Sequence, residues 1–151
     1  MREVHSVIAY ADDIAILVEA DSRKEIEDKT RIIMIRVKQW CDNNKLTIST
    51  EKTKYIIFKS KLERNPTIKY NNEPIKSVKS FKYLGITIDE KLNFEEHIEN
   101  IKSRIVKVGN KLATIANNKY GLPIRLLKLY NNQIINAIGT YGASVWAHGL
   151  N

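Results

Sequence analysis

A single cysteine, Cys41, leaves no partner for an internal disulfide in 151 residues and fits an intracellular chain. Nothing marks it as a nucleophile, because a reactive thiolate needs a basic microenvironment. No apolar run approaches the ~20 residues that cross a bilayer, so neither a transmembrane helix nor a membrane partner is expected. The first residues, Met1-Arg2-Glu3-Val4-His5, lack the pattern of a signal peptide. The one glycosylation-like triplet, Asn65-Pro66-Thr67, is blocked by its proline. No second His or Cys stands at ligand spacing from His97, which therefore reads as packed or capping. There is no internal repeat and no low-complexity tract. The most informative absence is acid: residues 101–151 hold seven Lys or Arg and no Asp or Glu. Residues 1–100 are nearly balanced, with eighteen basic and seventeen acidic side chains. Almost all of the net charge of +8 thus sits in the last third. A polyanionic partner for that part is implied, with an ordinary soluble basic surface as the plain alternative.

The residues present are organised around Val7 to Val18, VIAYADDIAILV. Two apolar runs, residues 7–10 and 14–18, read as buried strands, and the break between them is of hairpin length. The break carries Asp12-Asp13. Adjacent carboxylates between buried strands repel one another and cost solvation. A bare turn would more often use Asn-Gly or Asp-Gly. The pair therefore points to a task. Carboxylates are the usual Mg²⁺ ligands, with phosphates and water completing the shell. A hairpin tip holding two of them can form half of a two-metal phosphoryl-transfer site. The plain alternative is an acidic surface turn.

Further along, Ser22 and Glu25 have capping-box spacing and predict a helix from Arg23. Ile26, Ile33, Val37 and Trp40 recur at helical spacing, and Ile32, Met34 and Ile35 widen the face. That predicts close packing under a sheet, with Trp40 and Cys41 in the core and a stop near Asp42-Asn43-Asn44. Residues 46–49 and 55–58 read as short strands around a lysine-rich turn. There Lys52 can place charge on a phosphate or protonate a leaving pyrophosphate, unless the turn is simply solvated. Residues 59–66 form a charged loop. Residues 67–75 predict a small hairpin turning at Asn71-Asn72. Residues 80–89 predict one strand, in which Gly85 marks a bulge or a close backbone approach by a ligand. Asn93 and Glu96 repeat the capping-box spacing. Phe94, Ile98, Ile101, Ile105, Val108, Leu112 and Ile115 form one stripe along a helix of about six turns, ending across residues 117–121. Lys102, Arg104, Lys107 and Lys111 lie off the stripe. Pro123 suits the first turn of a second helix, whose apolar face is Ile124, Leu127, Tyr130, Ile134 and Ile138. Residues 140–146 are aromatic and β-leaning.

Three stretches, in order, carry a resemblance. They are Tyr10-Ala11-Asp12-Asp13; Leu46-Thr47-Ile48-Ser49 with Lys52-Thr53 and Ile57-Phe58; and Tyr83-Leu84-Gly85-Ile86 with Asp89, Leu92 and His97-Ile98. Together they resemble the C-terminal half of the reverse transcriptase domain of non-LTR retrotransposons, over essentially the whole chain. Tyr141-Gly142-Ala143 with Trp146 resembles the stretch that often comes after the thumb in that family. The resemblance implies an α+β fold. Residues 1–89 would be the later part of a right-hand polymerase palm, an antiparallel sheet with one packed helix, and residues 90–151 a helical, thumb-like region. It implies RNA-directed DNA synthesis by two-metal nucleotidyl transfer with Mg²⁺, or Mn²⁺ in its place. Asp12 and Asp13 match the metal-binding catalytic aspartates and Lys52 the lysine of the next palm motif. Tyr10 matches the aromatic beside the primer end, and Leu84 and Gly85 the turn that grips the primer backbone. Lys102, Arg104, Lys107 and Lys111 would face the product duplex. The implied partners are an RNA template, a DNA primer, their RNA–DNA hybrid and a dNTP, and the implied location is the nucleus.

One departure matters. The family's third aspartate lies on a strand upstream of the hairpin, whereas only eleven residues precede Asp12 here, with Glu3 the sole acid. The fingers and the first half of the palm are missing as well. The expectation is a fragment of a polymerase, inactive by itself, with a non-catalytic basic nucleic-acid-binding module as the alternative and a structural or protein-interaction role behind it.

Overall fold

The structure, a computed structural model, describes residues 5–58, 62–116, 121 and 123–150. Glu3, the start of the charged stretch at 59–66 and the expected helix end at 117–120 lie outside the described residues. The chain divides into two compact units, Met1–Lys79 and Ser80–Asn151. Among the described residues no helix is long and apolar enough to cross a membrane.

The first unit opens with strands β1 (His5–Tyr10) and β2 (Asp13–Val18), which pair antiparallel as expected, from His5 opposite Val18 to Tyr10 opposite Asp13. Helix α1 (Arg23–Asn43) starts at the predicted residue. The Ser22 hydroxyl accepts from the Glu25 N–H, and the Glu25 carboxylate reaches back to the N–H of Asp21, one residue beyond the usual capping-box partner. The Glu27 carboxylate accepts from the Thr67 N–H at 2.7 Å and so ties α1 to the segment just before Lys69. Strands β3 (Lys54–Tyr55) and β6 (Lys76–Ser77) pair parallel, while β4 (Lys69–Tyr70) and β5 (Glu73–Pro74) form the expected hairpin. Asn71 and Asn72 both take the left-handed φ that such a turn requires and that Asn tolerates. Ile68, Tyr70 and Ile75 make the core, with Ile26, Met34, Val37, Ile48 and Tyr55 packed on it.

Two expectations fail in this unit. Residues 46–49 form no strand, and the strand expected over 55–58 shrinks to β3. Ile32, Ile35 and Trp40 are each about half exposed, although Ile33 and Cys41 are buried. The small hairpin packs on the side of α1 that carries Ile26, Met34 and Val37, which leaves Ile32, Ile35 and Trp40 largely open.

The second unit begins with β7 (Ser80–Tyr83) and β8 (Ile86–Asp89), an antiparallel pair in place of the one continuous strand expected. Helix α2 (Glu95–Ala116) comes next. Of the expected Asn93/Glu96 capping box one part forms: the Asn93 Oδ1 accepts from the N–H of Glu95, the first residue of α2, at 3.3 Å, while the loop before it is held by Asp89. The Asp89 carboxylate accepts from the N–H groups of Lys91, Asn93 and Phe94, the last at 2.7 Å, and so gathers the loop into the start of α2. Beyond α2 come α3 (Ile124–Tyr130), a π-helical turn (Asn131–Ile135) and α4 (Asn136–Thr140) in one run. Of the expected face Leu127 and Ile138 are half-buried, while Ile124 and Tyr130 are exposed; the π turn adds a residue and rotates the helix past Tyr130, so that Ile135 rather than the expected Ile134 faces inward. The β-leaning end is instead helical: α5 (Ala143–Trp146), then a 3₁₀ turn (Ala147–Leu150). Phe94, Ile98, Ile101 and Trp146 form this unit's core. The fold is thus mixed α and β. Its sheets, among the described residues, are four two-stranded pieces rather than one larger sheet.

His97 packs, as expected, inside this core. It is 5% exposed, its Nδ1 accepts from the Thr87 N–H at 3.3 Å, its ring meets Trp146 edge-on, and its Nε2 has no partner among the described residues. Burial, then the charges of Lys82 and Arg104, hold its pKa below the ordinary 6.5. The unfolded chain therefore takes up the proton first as pH falls. The second unit should lose stability as pH drops below about 6.5, the loss levelling off once folded His97 is itself protonated. Thermal melts from pH 7.5 to 5 check this, and a His97→Gln chain should show a flatter profile through that window.

Candidate active site

The apolar hairpin β1–β2 delivers its acidic residues to a two-residue turn, Ala11-Asp12, closed by the Tyr10–Asp13 pair. Ala11 has φ +52° and Asp12 has none of the left-handed character, the φ pattern of a type II′ turn, whose first central position favours glycine. Replacing Ala11 with Gly should stabilise the hairpin by about 0.5–1 kcal/mol, the strain relieved less the freedom added to the unfolded chain. Denaturant unfolding of the two chains side by side measures it.

Asp12 and Asp13 are both exposed, and neither carboxylate has a hydrogen bond or an ion pair among the described residues. Tyr10 and Asp13 are cross-strand neighbours and share a face of the hairpin. Tyr10 is exposed on that face, with Ile8 and Leu17 further along it. On the opposite face Val7 and Ile14 are also open to solvent. Two adjacent carboxylates without a neighbouring cation are a hard, anionic oxygen set suited to a divalent ion such as Mg²⁺. The set is incomplete: no group of three or more His, Cys, Asp or Glu able to hold a metal occurs among the described residues.

Lys52 is held in an ordered turn. The Thr53 N–H and hydroxyl both bond to the Ser49 carbonyl, and the Thr50 hydroxyl donates to Glu73 at 2.6 Å. Its own ammonium is exposed and, among the described residues, makes no contact with Asp12 or Asp13.

In the second unit, Leu84 and Gly85 are the central residues of the β7–β8 turn, both with positive φ (46° and 86°). That is why one strand becomes two: a type I′ turn needs left-handed φ twice, and only the second residue is a glycine. Gly85 thus lies in a turn rather than at the expected bulge, and the ring of Tyr141, a side chain of this chain, comes close to it. On α2, Arg104, Lys107 and Lys111 succeed one another at helical spacing along one exposed row, none with an acidic partner among the described residues. Lys102 lies on the other flank of the apolar stripe and meets Glu99 at 3.7 Å. Arg125 and Lys128, three apart on α3, are likewise exposed and unpaired among the described residues; they are not among the contacts expected from sequence, although the acid-free last third is their signal.

Comparison with known proteins gives a consistent picture. The family described as reverse transcriptase (RNA-dependent DNA polymerase) matches residues 1–88. A putative 115 kDa protein in the type-1 retrotransposable element R1DM of Drosophila melanogaster is 33% identical over 138 residues, which is 91% of this chain and 14% of that protein. A retrovirus-related Pol polyprotein from a type-1 retrotransposable element R1 of Nasonia vitripennis is 31% identical over 93% of this chain and 36% of its own length. The RNA-directed DNA polymerase from mobile element jockey of Drosophila melanogaster is 32% identical over 64% of this chain and 10% of its own. The chain thus spans between a tenth and about a third of the length of these relatives, and the two R1 matches cover more than nine-tenths of it. No solved structure matches.

Proposed function

The chain belongs to the reverse transcriptase (RNA-dependent DNA polymerase) family, and from that premise we propose that it is a segment of a non-LTR retrotransposon polymerase: residues 1–89 a later part of the palm, residues 90–151 a thumb-like region. The observation that carries the reading is the pair of exposed, uncompensated carboxylates at the tip of an otherwise apolar hairpin, inside the stretch that matches the family. Asp12 is the principal ligand for Mg²⁺ and Asp13 the weaker one, and a part of the polymerase outside these residues supplies a third carboxylate. When bound, the ions supply charge against the attacking and leaving oxygens of nucleotidyl transfer. The chain's own groups do the rest. Tyr10, beside Asp13, packs at the primer end; Lys52, exposed on its turn, protonates the departing pyrophosphate; Leu84 and Gly85 meet the primer backbone. The RNA template and the dNTP are bound by that same outside part, so residues 1–151 alone should not extend a primer.

A second reading, a non-catalytic nucleic-acid-binding module, is favoured by one feature: the basic row of Arg104, Lys107 and Lys111, which needs no complete active site. Both readings place an RNA–DNA hybrid on that row, and primer extension separates them. Residues 1–151 should bind such a hybrid with little sequence preference, and log K should fall linearly with log salt. Replacing all three residues with Ala should flatten that slope by roughly two to three, measured by fluorescence anisotropy from about 50 to 300 mM salt. A slope unchanged by the triple substitution would take the row out of the interface.

A further inference from the structure

The end of the chain is fastened to the β7–β8 turn at three successive residues. The Tyr141 hydroxyl donates to the Leu84 carbonyl at 3.0 Å. The Tyr141 ring lies over Gly85, where an added Cβ would stand 3.0 Å from its Cε1. Gly142, with φ +63°, leaves the space that Ile86 fills: a Cβ there would meet the Ile86 Cδ1 at 2.6 Å. The other side of the attachment is equally definite. The Tyr141 carbonyl accepts from the Trp146 indole N–H at 2.8 Å, and Trp146 is buried with Phe94, Ile98 and Ile101. One residue is therefore tied both to the turn and to the core of the unit.

Burial does not account for this arrangement, since Tyr141 stays 58% exposed. The hairpin explains it better. Strands β7 and β8 have four residues each and no third strand beside them among the described residues; β8 is held to the core through Ile86, Ile88 and the Thr87–His97 bond, all of them on one side of the Leu84–Gly85 tip. At the tip itself the hold comes from Tyr141, 57 residues away from Leu84 in sequence.

We propose that Tyr141 is a positioning residue for the Leu84–Gly85 turn, fixing the setting at which that turn meets the sugar–phosphate backbone of a primer strand. The inference rests on the primer-contacting role proposed above for the turn. Tyr141→Ala removes ring and hydroxyl; Tyr141→Phe keeps the ring over Gly85 and removes only the hydrogen bond. In the full chain, amide hydrogen exchange across residues 84–86 should quicken by roughly three- to tenfold in the Ala variant, with Phe in between. Binding to a fluorescein-labelled RNA–DNA hybrid with a recessed DNA 3′ end should weaken about fivefold in the Ala variant and be partly rescued by Phe. Binding to a blunt hybrid of the same length should not change. Equal losses on both hybrids would make Tyr141 merely structural, and unchanged exchange at the turn would remove the anchor; either result overturns the proposal. Failure of the unsubstituted chain to bind either hybrid would instead defeat the reading of the turn, and this inference with it.

Discussion

Asp12→Ala, in an R1-type relative whose matching stretch has been replaced by residues 1–151, should lower primer extension on the order of a thousandfold or more. Groups acting directly on transition-state charge in a water-poor site are worth about that much. Asp12 sits in the turn itself, with no described side chain of its own unit bonded to it, so its loss breaks no contact that holds the hairpin. The effect should therefore fall on the chemical step, leaving hybrid affinity and thermal stability close to those of the unsubstituted enzyme. Asp13→Asn should cost less, because the amide keeps an oxygen in place and the residue is assigned the weaker contact. Extension within a few-fold of the parent in the Asp12→Ala enzyme would end the assignment. Extension by residues 1–151 alone, lost on the same substitution, would show instead that no third carboxylate is needed.

Asp89→Ala is the substitution with the largest expected effect on stability. Its carboxylate takes three backbone N–H groups in a loop where Leu92 and Phe94 both hold positive φ, a conformation costly for large side chains. Phe94 is buried in the core of the second unit, so the loop cannot relax without pulling it out. Losing the charged acceptor should cost about 2–3 kcal/mol and lower that unit's melting temperature by more than about 10 °C. Burial raises the pKa of Asp89, but the Phe94, Asn93 and Lys91 N–H groups outweigh it and leave it below the usual 3.8. The stability it adds is therefore present above about pH 3.8 and is lost as acid protonates the folded carboxylate. Asp89→Asn, which keeps one acceptor oxygen, should fall between the two, and differential scanning calorimetry of the three chains orders them.

The features legible in the sequence are those with a local signature. The β1–β2 hairpin comes from two apolar runs around one break, the start of α1 from Ser22, and the turn at Asn71-Asn72 from residues that tolerate left-handed φ. The turn at Leu84-Gly85 is hidden because a leucine holds its first left-handed position. Asn93 is legible as the residue that caps α2, through the Glu95 N–H, but the hold of Asp89 on the loop before it is hidden because it reaches from several residues upstream. The π turn at Asn131–Ile135 has no composition of its own and brings Ile135 inward in place of Ile134. Ile32, Ile35 and Trp40 mislead for another reason: a sequence shows which residues are apolar, not whether anything covers them. The same limit applies to the site. Asp12 and Asp13 are recognisable as a pair, and Arg104, Lys107 and Lys111 as basic, but the anchoring of the turn by Tyr141 depends on packing.

The hairpin that carries Asp12 leaves apolar side chains open on both of its faces, with no third strand at either edge among the described residues. In the living cell this becomes a matter of timing. On a ribosome releasing roughly 5–20 residues each second, these strands emerge on the order of ten seconds before the last helices of the second unit. A segment already synthesised ahead of them can cover the strands at once; nothing still inside the tunnel can. Where that cover is lacking, holdase chaperones and other nascent chains compete for the bare strands, and the yield of the protein is set by that competition before any helix has packed.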